Sequence, residues 1–146
     1  MKHITIVTLA LLMFANLSAC DDNEKPITFG QLPQSAQTFV KTHFADKQVS
    51  VIFLETSGLD EYKVLFADGA SIDFTSNGDW DEVKDRDADG LPTAFLPKAM
   101  TDYVATTFPG TNIVEVNKER SRFEVELSNG VELVFDRNGN FLRYDD

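Results

Sequence analysis

Two segments of the chain read almost alike: LPQSAQTFVKTHF from Leu32 and LPKAMTDYVATTF from Leu96. Each places a proline near the start of a helix, where its missing N–H costs little. Apolar residues then recur at helical spacing, as Leu32, Ala36, Phe39, Val40 and Phe44 in the first and Leu96, Met100, Tyr103, Val104 and Phe108 in the second. Such a stripe is the mark of an amphipathic helix with one buried face. After each helix the period changes to that of strands. The first set runs QVSVIFLE, EYKVLFADG, ASIDFTSNG and DWDEV; the second runs NIVEVN, RFEVELSNG, VELVFDRNG and NFLRYD. Asp68-Gly69 matches Asn129-Gly130, and Asn77-Gly78 matches Asn138-Gly139. Asp-Gly and Asn-Gly supply the positive φ that tight hairpins require.

The expected fold class is therefore α+β: a tandem repeat of one helix plus four antiparallel strands, forming a shared or closely packed antiparallel sheet with the helices on one face. One such unit alone would bury too little surface to be stable. The expected boundaries are a signal peptide over 1–19, an acidic tether over 20–26, a first unit over 27–84, an Asp-rich linker over 85–94 and a second unit over 95–146. Alternation assigns the sheet faces. Tyr62, Val64, Phe66, Ile72, Phe74, Phe123, Val125, Leu127, Leu133 and Phe135 point to the helices, while Lys63, Asp73, Glu124, Glu126, Glu132 and Asp136 point to solvent. An antiparallel sheet tolerates that asymmetry.

The chain opens with Lys2 and His3, continues as ITIVTLALLMFA and reaches LSAC, the order of a secretory signal peptide. Leu17, Ser18, Ala19 and Cys20 resemble a bacterial lipobox, which implies cleavage before Cys20 and a lipid anchor on it. Cys20 is the single cysteine, so no intramolecular disulfide can form in an oxidising compartment. The expected location is the cell envelope, either periplasm or cell surface. With 24 acidic residues against 13 basic ones, a net charge of −11, the surface repels phosphate backbones, and no local basic patch offsets this. Nucleic acid is not an expected partner; cations and basic protein surfaces are.

The doubled pattern LPxxxxxFV…YKVLFADGASIDFTSNGDWDEV and LPxxxxxYV…FEVELSNGVELVFDRNGNFLRYD resembles the PepSY-like family of small secreted Gram-negative proteins over about residues 26–146. That family's tandem unit is similar to the one in the β-lactamase inhibitor protein. The resemblance implies a non-enzymatic binding fold whose uncovered sheet face serves as a docking surface. Some members are thought of as calcium-regulated. An inhibitor's specificity resides in individual contact residues and does not transfer with the fold.

DRDADG, residues 85–90, bears on the calcium question. Asp85, Asp87, Asp89 and Gly90 match positions 1, 3, 5 and 6 of a calcium loop, with Leu91 offering a backbone carbonyl at position 7. The match ends at position 12, which is Leu96 where a bidentate Glu belongs. Asp79, Asp81 and Glu82 are candidates to complete the shell. Without the closing Glu, affinity should be weak, about 10⁻⁴ to 10⁻³ M. The alternative is a solvated acidic linker that carries Pro92 and no metal.

Catalysis finds little support. After Cys20 the only histidine is His43, on a helix beside Phe44, and no nucleophile has a base at readable spacing. Asp79, Asp81 and Glu82 offer no cleft that would raise a carboxyl pKa. No glycine-rich phosphate loop or zinc spacing occurs. Trp80 and Phe141, each two residues after a hairpin glycine, read either as core caps or as docking anchors. The expected function is a lipid-anchored, non-catalytic envelope protein that binds a protein or peptide partner through Trp80 and the acidic face of Asp73, Glu124, Glu126, Glu132 and Asp136. The alternative is a calcium-binding periplasmic protein using Asp85, Asp87, Asp89 and Leu91.

Overall fold

A computed structural model of the chain describes residues 23–59, 61–87 and 89–145. Cys20 and the signal-peptide segment lie outside the described residues. Among the described residues, nine strands form one antiparallel sheet whose spatial order equals the chain order. They are β1 (Glu24–Ile27), β2 (Val49–Glu55), β3 (Glu61–Phe66), β4 (Ser71–Phe74), β5 (Trp80–Lys84), β6 (Ile113–Lys118), β7 (Arg122–Leu127), β8 (Glu132–Asp136) and β9 (Phe141–Tyr144). Helix α1 (Gln34–His43) precedes β2, and α2 (Lys98–Thr107) precedes β6.

This corrects the expectation of a tandem repeat of one helix plus four strands. The chain is a single nine-stranded sheet with two short helices, and two findings overturn the two-unit description. First, β5 and β6 pair directly, with Glu82 opposite Asn117, Val83 opposite Val116 and Lys84 opposite Glu115, so the sheet has no seam between units. Second, residues 24–26, expected within a tether, form with Ile27 an edge strand on β2, with Pro26 opposite Phe53. Proline is tolerated there because an edge strand has one side without ladder bonds. Local periodicity carries no information about either pairing.

The helices lie on one face of the sheet over a single core. Leu32, Ala36, Val40 and Phe44 from the α1 segment, and Leu96, Met100 and Val104 from the α2 segment, join Ile52, Val64, Ile72, Phe74, Val83, Val116, Val125, Leu127, Leu133 and Phe135 from the strands. Each large aliphatic or aromatic side chain buried this way contributes about 1.5–3 kcal/mol. Pro33 and Pro97 occupy the position just before each helix, with φ −52° and −56°. The helix N-termini are set by hairpin turns from the sheet. At Gly78, φ is +80° and an added Cβ would come within 2.3 Å of Ser35 Oγ; at Gly139, φ is +85° and the nearest atom would be Pro97 Cβ at 2.7 Å. Ser35 Oγ donates to the Asn77 carbonyl at 2.9 Å, completing the contact.

Candidate functional site

Asp85 follows directly on β5, and it and Leu91 both bond to β6. Asp85 N–H donates to the Val114 carbonyl and Leu91 N–H to the Ile113 carbonyl, both at 2.9 Å. Gly90 has φ +69°, and an added Cβ would meet the Ile113 carbonyl oxygen at 2.5 Å. Close approach to β6 therefore accounts for this glycine without a metal. Asp85 is 2% exposed, the one buried charged residue among those described.

What faces the Asp85 carboxylate is Lys47, from the loop between α1 and β2. Lys47 Nζ lies 2.9 Å from Asp85 Oδ2, 3.1 Å from Asp87 Oδ2, and in contact with Asp68 Oδ2. Asp87 N–H donates to Asp85 Oδ1 at 3.2 Å, and Ala70 N–H to Asp68 Oδ1 at 3.0 Å. The loop is held in place by Ala67 N–H, which donates to the Gln48 carbonyl at 2.9 Å. Burial alone would lower the Lys47 pKa, but the hydrogen bonds it donates to Asp68, Asp85 and Asp87 raise it well above the usual lysine range. An ammonium has three donors, and here three carboxylates receive them.

The sequence reading placed Asp85, Asp87, Asp89 and Leu91 in one ligand set. Asp85 and Asp87 do converge. Asp89 is exposed and lines recesses on both sides of the linker, while Leu91 packs into the core at 4% exposure. Glu82 is on the open sheet face beside Asp73 and Lys84, and Asp79 and Asp81 act on Lys118. Among the described residues no group of three or more His, Cys, Asp or Glu side chains is arranged to hold a metal ion. Asp85 and Asp87 converge on an ammonium, so they do not fit calcium at that point unless Lys47 leaves. Lys47 and Asp68 were missed by sequence reasoning; neither carries a local signal, since their contact depends on how the hairpin packs.

On the uncovered face, cross-strand register aligns Lys63, Asp73, Glu82, Asn117 and Glu124 in one row, and Lys84, Glu115, Glu126 and Glu132 in the next. Cations are interleaved with the acids. Lys84 bridges Glu82 at 2.7 Å and Glu115 at 3.3 Å. Arg86 donates both terminal nitrogens to Glu126, at 2.9 and 2.7 Å, and reaches Glu115 at 2.9 Å. Arg122 holds Glu124 at 2.6 Å, and Lys63 lies 3.4 Å from Asp73. Burial, more than the neighbouring Glu82, pushes Asp73 up to about 6 against the pull of Lys63. Its Oδ1 is buried without a hydrogen-bond partner. Burial likewise raises Glu115, whereas the Arg86 hydrogen bond lowers Glu126.

Glu115, Glu124, Glu126, Glu132 and Asp145 line a shallow depression of about 140 Å³ on this face, with Glu132 exposed at its rim. Five of the six residues expected to bind a partner, Asp73, Glu124, Glu126, Glu132 and Asp136, lie on this side of their strands. Asp136, opposite Arg122 at the end of β8, also organises the turn that follows: its Oδ1 accepts from Asn138 and Asn140 N–H, each at 2.9 Å, and the hydrogen bond from the Asn140 side chain is the main reason that its pKa is lowered. Trp80 is on the helix side, with Phe39 at 6.2 Å, Phe95 at 5.2 Å and Phe123 at 6.0 Å between ring centroids. The Lys118 ammonium covers its ring at 4.4 Å. His43 packs between Phe39 and Phe95, and burial lowers its pKa.

Comparison with known proteins agrees with this architecture. A family profile described as beta-lactamase-inhibitor-like, PepSY-like matches residues 60–143. Among solved structures, the chain is similar to a candidate calcium-regulated periplasmic protein of Bacteroides thetaiotaomicron at 34% identity and TM-score 0.79, covering 86% of this chain and 98% of that one. It is similar to a candidate periplasmic protein of the DUF2874 family from Bacteroides vulgatus at 38% identity and TM-score 0.77, covering 87% and 100%. A third, a candidate periplasmic protein of unknown function from Bacteroides vulgatus, aligns at 30% identity and TM-score 0.77 over 84% and 99%. No curated protein matches the chain. These three structural relatives are described as periplasmic, and the chain is accordingly an exported protein. A profile spanning more than half of its length, and relatives matched over nearly their entire chains, place it in one group: the chain belongs to the PepSY-like family.

Proposed function

We propose that the chain is a non-catalytic binding module of the cell envelope that holds a basic protein or peptide segment against the open face of its sheet. The observation that carries this reading is the depression lined by Glu115, Glu124, Glu126, Glu132 and Asp145 on a face that neither helix covers. Rigid neighbouring strands fix the carboxylates at sheet spacing, so an incoming cation meets several at once without ordering them first. The overall charge of −11 strengthens encounter with a basic segment at low salt. Lys84, Arg86 and Arg122 already satisfy part of the site, which makes the partner a competitor for these internal pairs. A lipid anchor on Cys20 belongs to the same proposal and would hold the module at a membrane; mass spectrometry of the envelope-extracted protein reads it directly.

The test is titration of a lysine-rich peptide followed by backbone amide shifts. Shifts should concentrate on β6–β8, weaken as salt rises, and need at least tenfold more peptide in a Glu124→Lys/Glu132→Lys double variant. Equal binding by that variant sinks the proposal.

A further inference from the structure

The loop with calcium spacing already contains a cation. We propose that Lys47 does in this chain the work that a bound calcium would do: it closes the DRDADG loop against the β3–β4 hairpin and keeps free calcium out. Three observations support it. The ammonium sits among Asp68, Asp85 and Asp87, at 2.9 Å from Asp85 and 3.1 Å from Asp87, so its three donors are used. Asp85, which begins the loop, is 2% exposed and depends on this cation for charge compensation. Asp89, the third loop aspartate, is exposed and takes no part in the cage.

Competition decides between ammonium and metal. A loop of this spacing without its closing glutamate would hold calcium at about 10⁻⁴ to 10⁻³ M. A cation carried on the same chain competes at an effective concentration of about millimolar or above, even on a flexible tether. Lys47 is further fixed by the Ala67-to-Gln48 backbone bond beside it. Calcium must displace it before using the same oxygens, which moves any binding well above that range. The three carboxylates come from two loops, so the ammonium sets the position of Asp85 and Asp87 relative to the hairpin.

The experiment is thermal unfolding of the exported chain in chelator and in calcium up to about 10 mM, for the wild type, Lys47→Met and Lys47→Gln. The wild type should unfold at the same temperature in both. Lys47→Met should unfold about 10 °C lower in chelator and recover with a calcium midpoint of about 0.1–1 mM, at least tenfold below any wild-type response. Lys47→Gln, which keeps a donor in the cage, covers the case in which the methionine variant does not fold, and should gain the same calcium response. The proposal is overturned by a wild-type response to calcium that Asp87→Asn abolishes, or by Lys47 variants that remain as stable as the wild type. Lys47 variants that lose stability without answering to calcium overturn it as well.

Discussion

Asp85 and Arg86 are adjacent in the chain, yet their charges leave it on opposite sides of the sheet. The Asp85 carboxylate meets Lys47 at 2.9 Å beneath the end of α1, while the Arg86 guanidinium crosses the open face to Glu126 at 2.7 Å. Strand alternation continues past the end of β5, and the two consecutive residues tie different parts of the molecule to one backbone turn.

Burial separates the two aspartates that contact Lys47. Asp85 is 2% exposed, whereas the Asp87 side chain is 55% exposed. Asp85→Asn should therefore cost about 2–3 kcal/mol, because it removes a desolvated charged acceptor from an ammonium that stays in place. Asp87→Asn should cost less than about 1 kcal/mol, as exposed pairs do. Urea unfolding of both variants checks the order; equal costs would mean that the cage acts as one unit.

The hairpin glycines supply a second contrast. Gly78 and Gly130 have nearly the same φ, +80° and +81°, but only Gly78 lies against a helix, where its Cβ would meet Ser35 Oγ at 2.3 Å. Gly130→Ala should cost about 1–2 kcal/mol from the left-handed backbone alone. Gly78→Ala should cost a further 1–3 kcal/mol or so, since α1 must move to admit the methyl group. Paired melting curves measure the difference.

Asp73 gives the fold a specific pH dependence. Its folded pKa, about 6, lies above its ordinary 3.8, so the folded chain binds a proton that the unfolded chain has released between those values. Stability from this group is present below about pH 4 and is lost as pH rises towards 6. Asp73→Asn should be indistinguishable from wild type at pH 3 and more stable at pH 7 by on the order of 1 kcal/mol, a figure discounted for partial exposure. Unfolding at pH 3, 5 and 7 isolates the effect, because the other carboxylates are common to both proteins.

Much of the helix side is legible in the sequence. Leu32, Ala36 and Val40 recur at the spacing that buries one face of α1, and Leu96, Met100 and Val104 do the same for α2. The open face is also readable, since Glu124 and Glu126 alternate with Phe123, Val125 and Leu127. What is hidden depends on distant partners. Glu24-Lys25-Pro26 has the composition of a linker and becomes β1 only because β2 presents an edge to it. Lys47 is an ordinary loop lysine until β3–β4 and residues 85–87 close around it. The pairing of β5 with β6, which makes one sheet of the described strands, crosses the entire α2 segment and leaves no periodic trace. Trp80 follows a hairpin turn and could face either side by its sequence; its packing against Phe39, Phe95 and Phe123 puts it on the helix side.

Arg86 offers a test in which stability and binding move separately. Its side chain is 59% exposed, so the bidentate contact with Glu126 contributes under about 1 kcal/mol to folding. The same contact neutralises Glu126 and shares Glu115, two of the carboxylates around the depression on the open face. Arg86→Ala should leave the unfolding temperature nearly unchanged while tightening capture of a lysine-rich peptide several-fold, because the peptide no longer competes with an internal cation. The gain should vanish as salt rises, since freed surface carboxylates are screened over about 8 Å at physiological ionic strength. If Arg86→Ala instead weakens peptide binding, the guanidinium must order the glutamates for the partner, and the acidic face would be a pre-formed salt-bridge lattice that the partner reads as a whole.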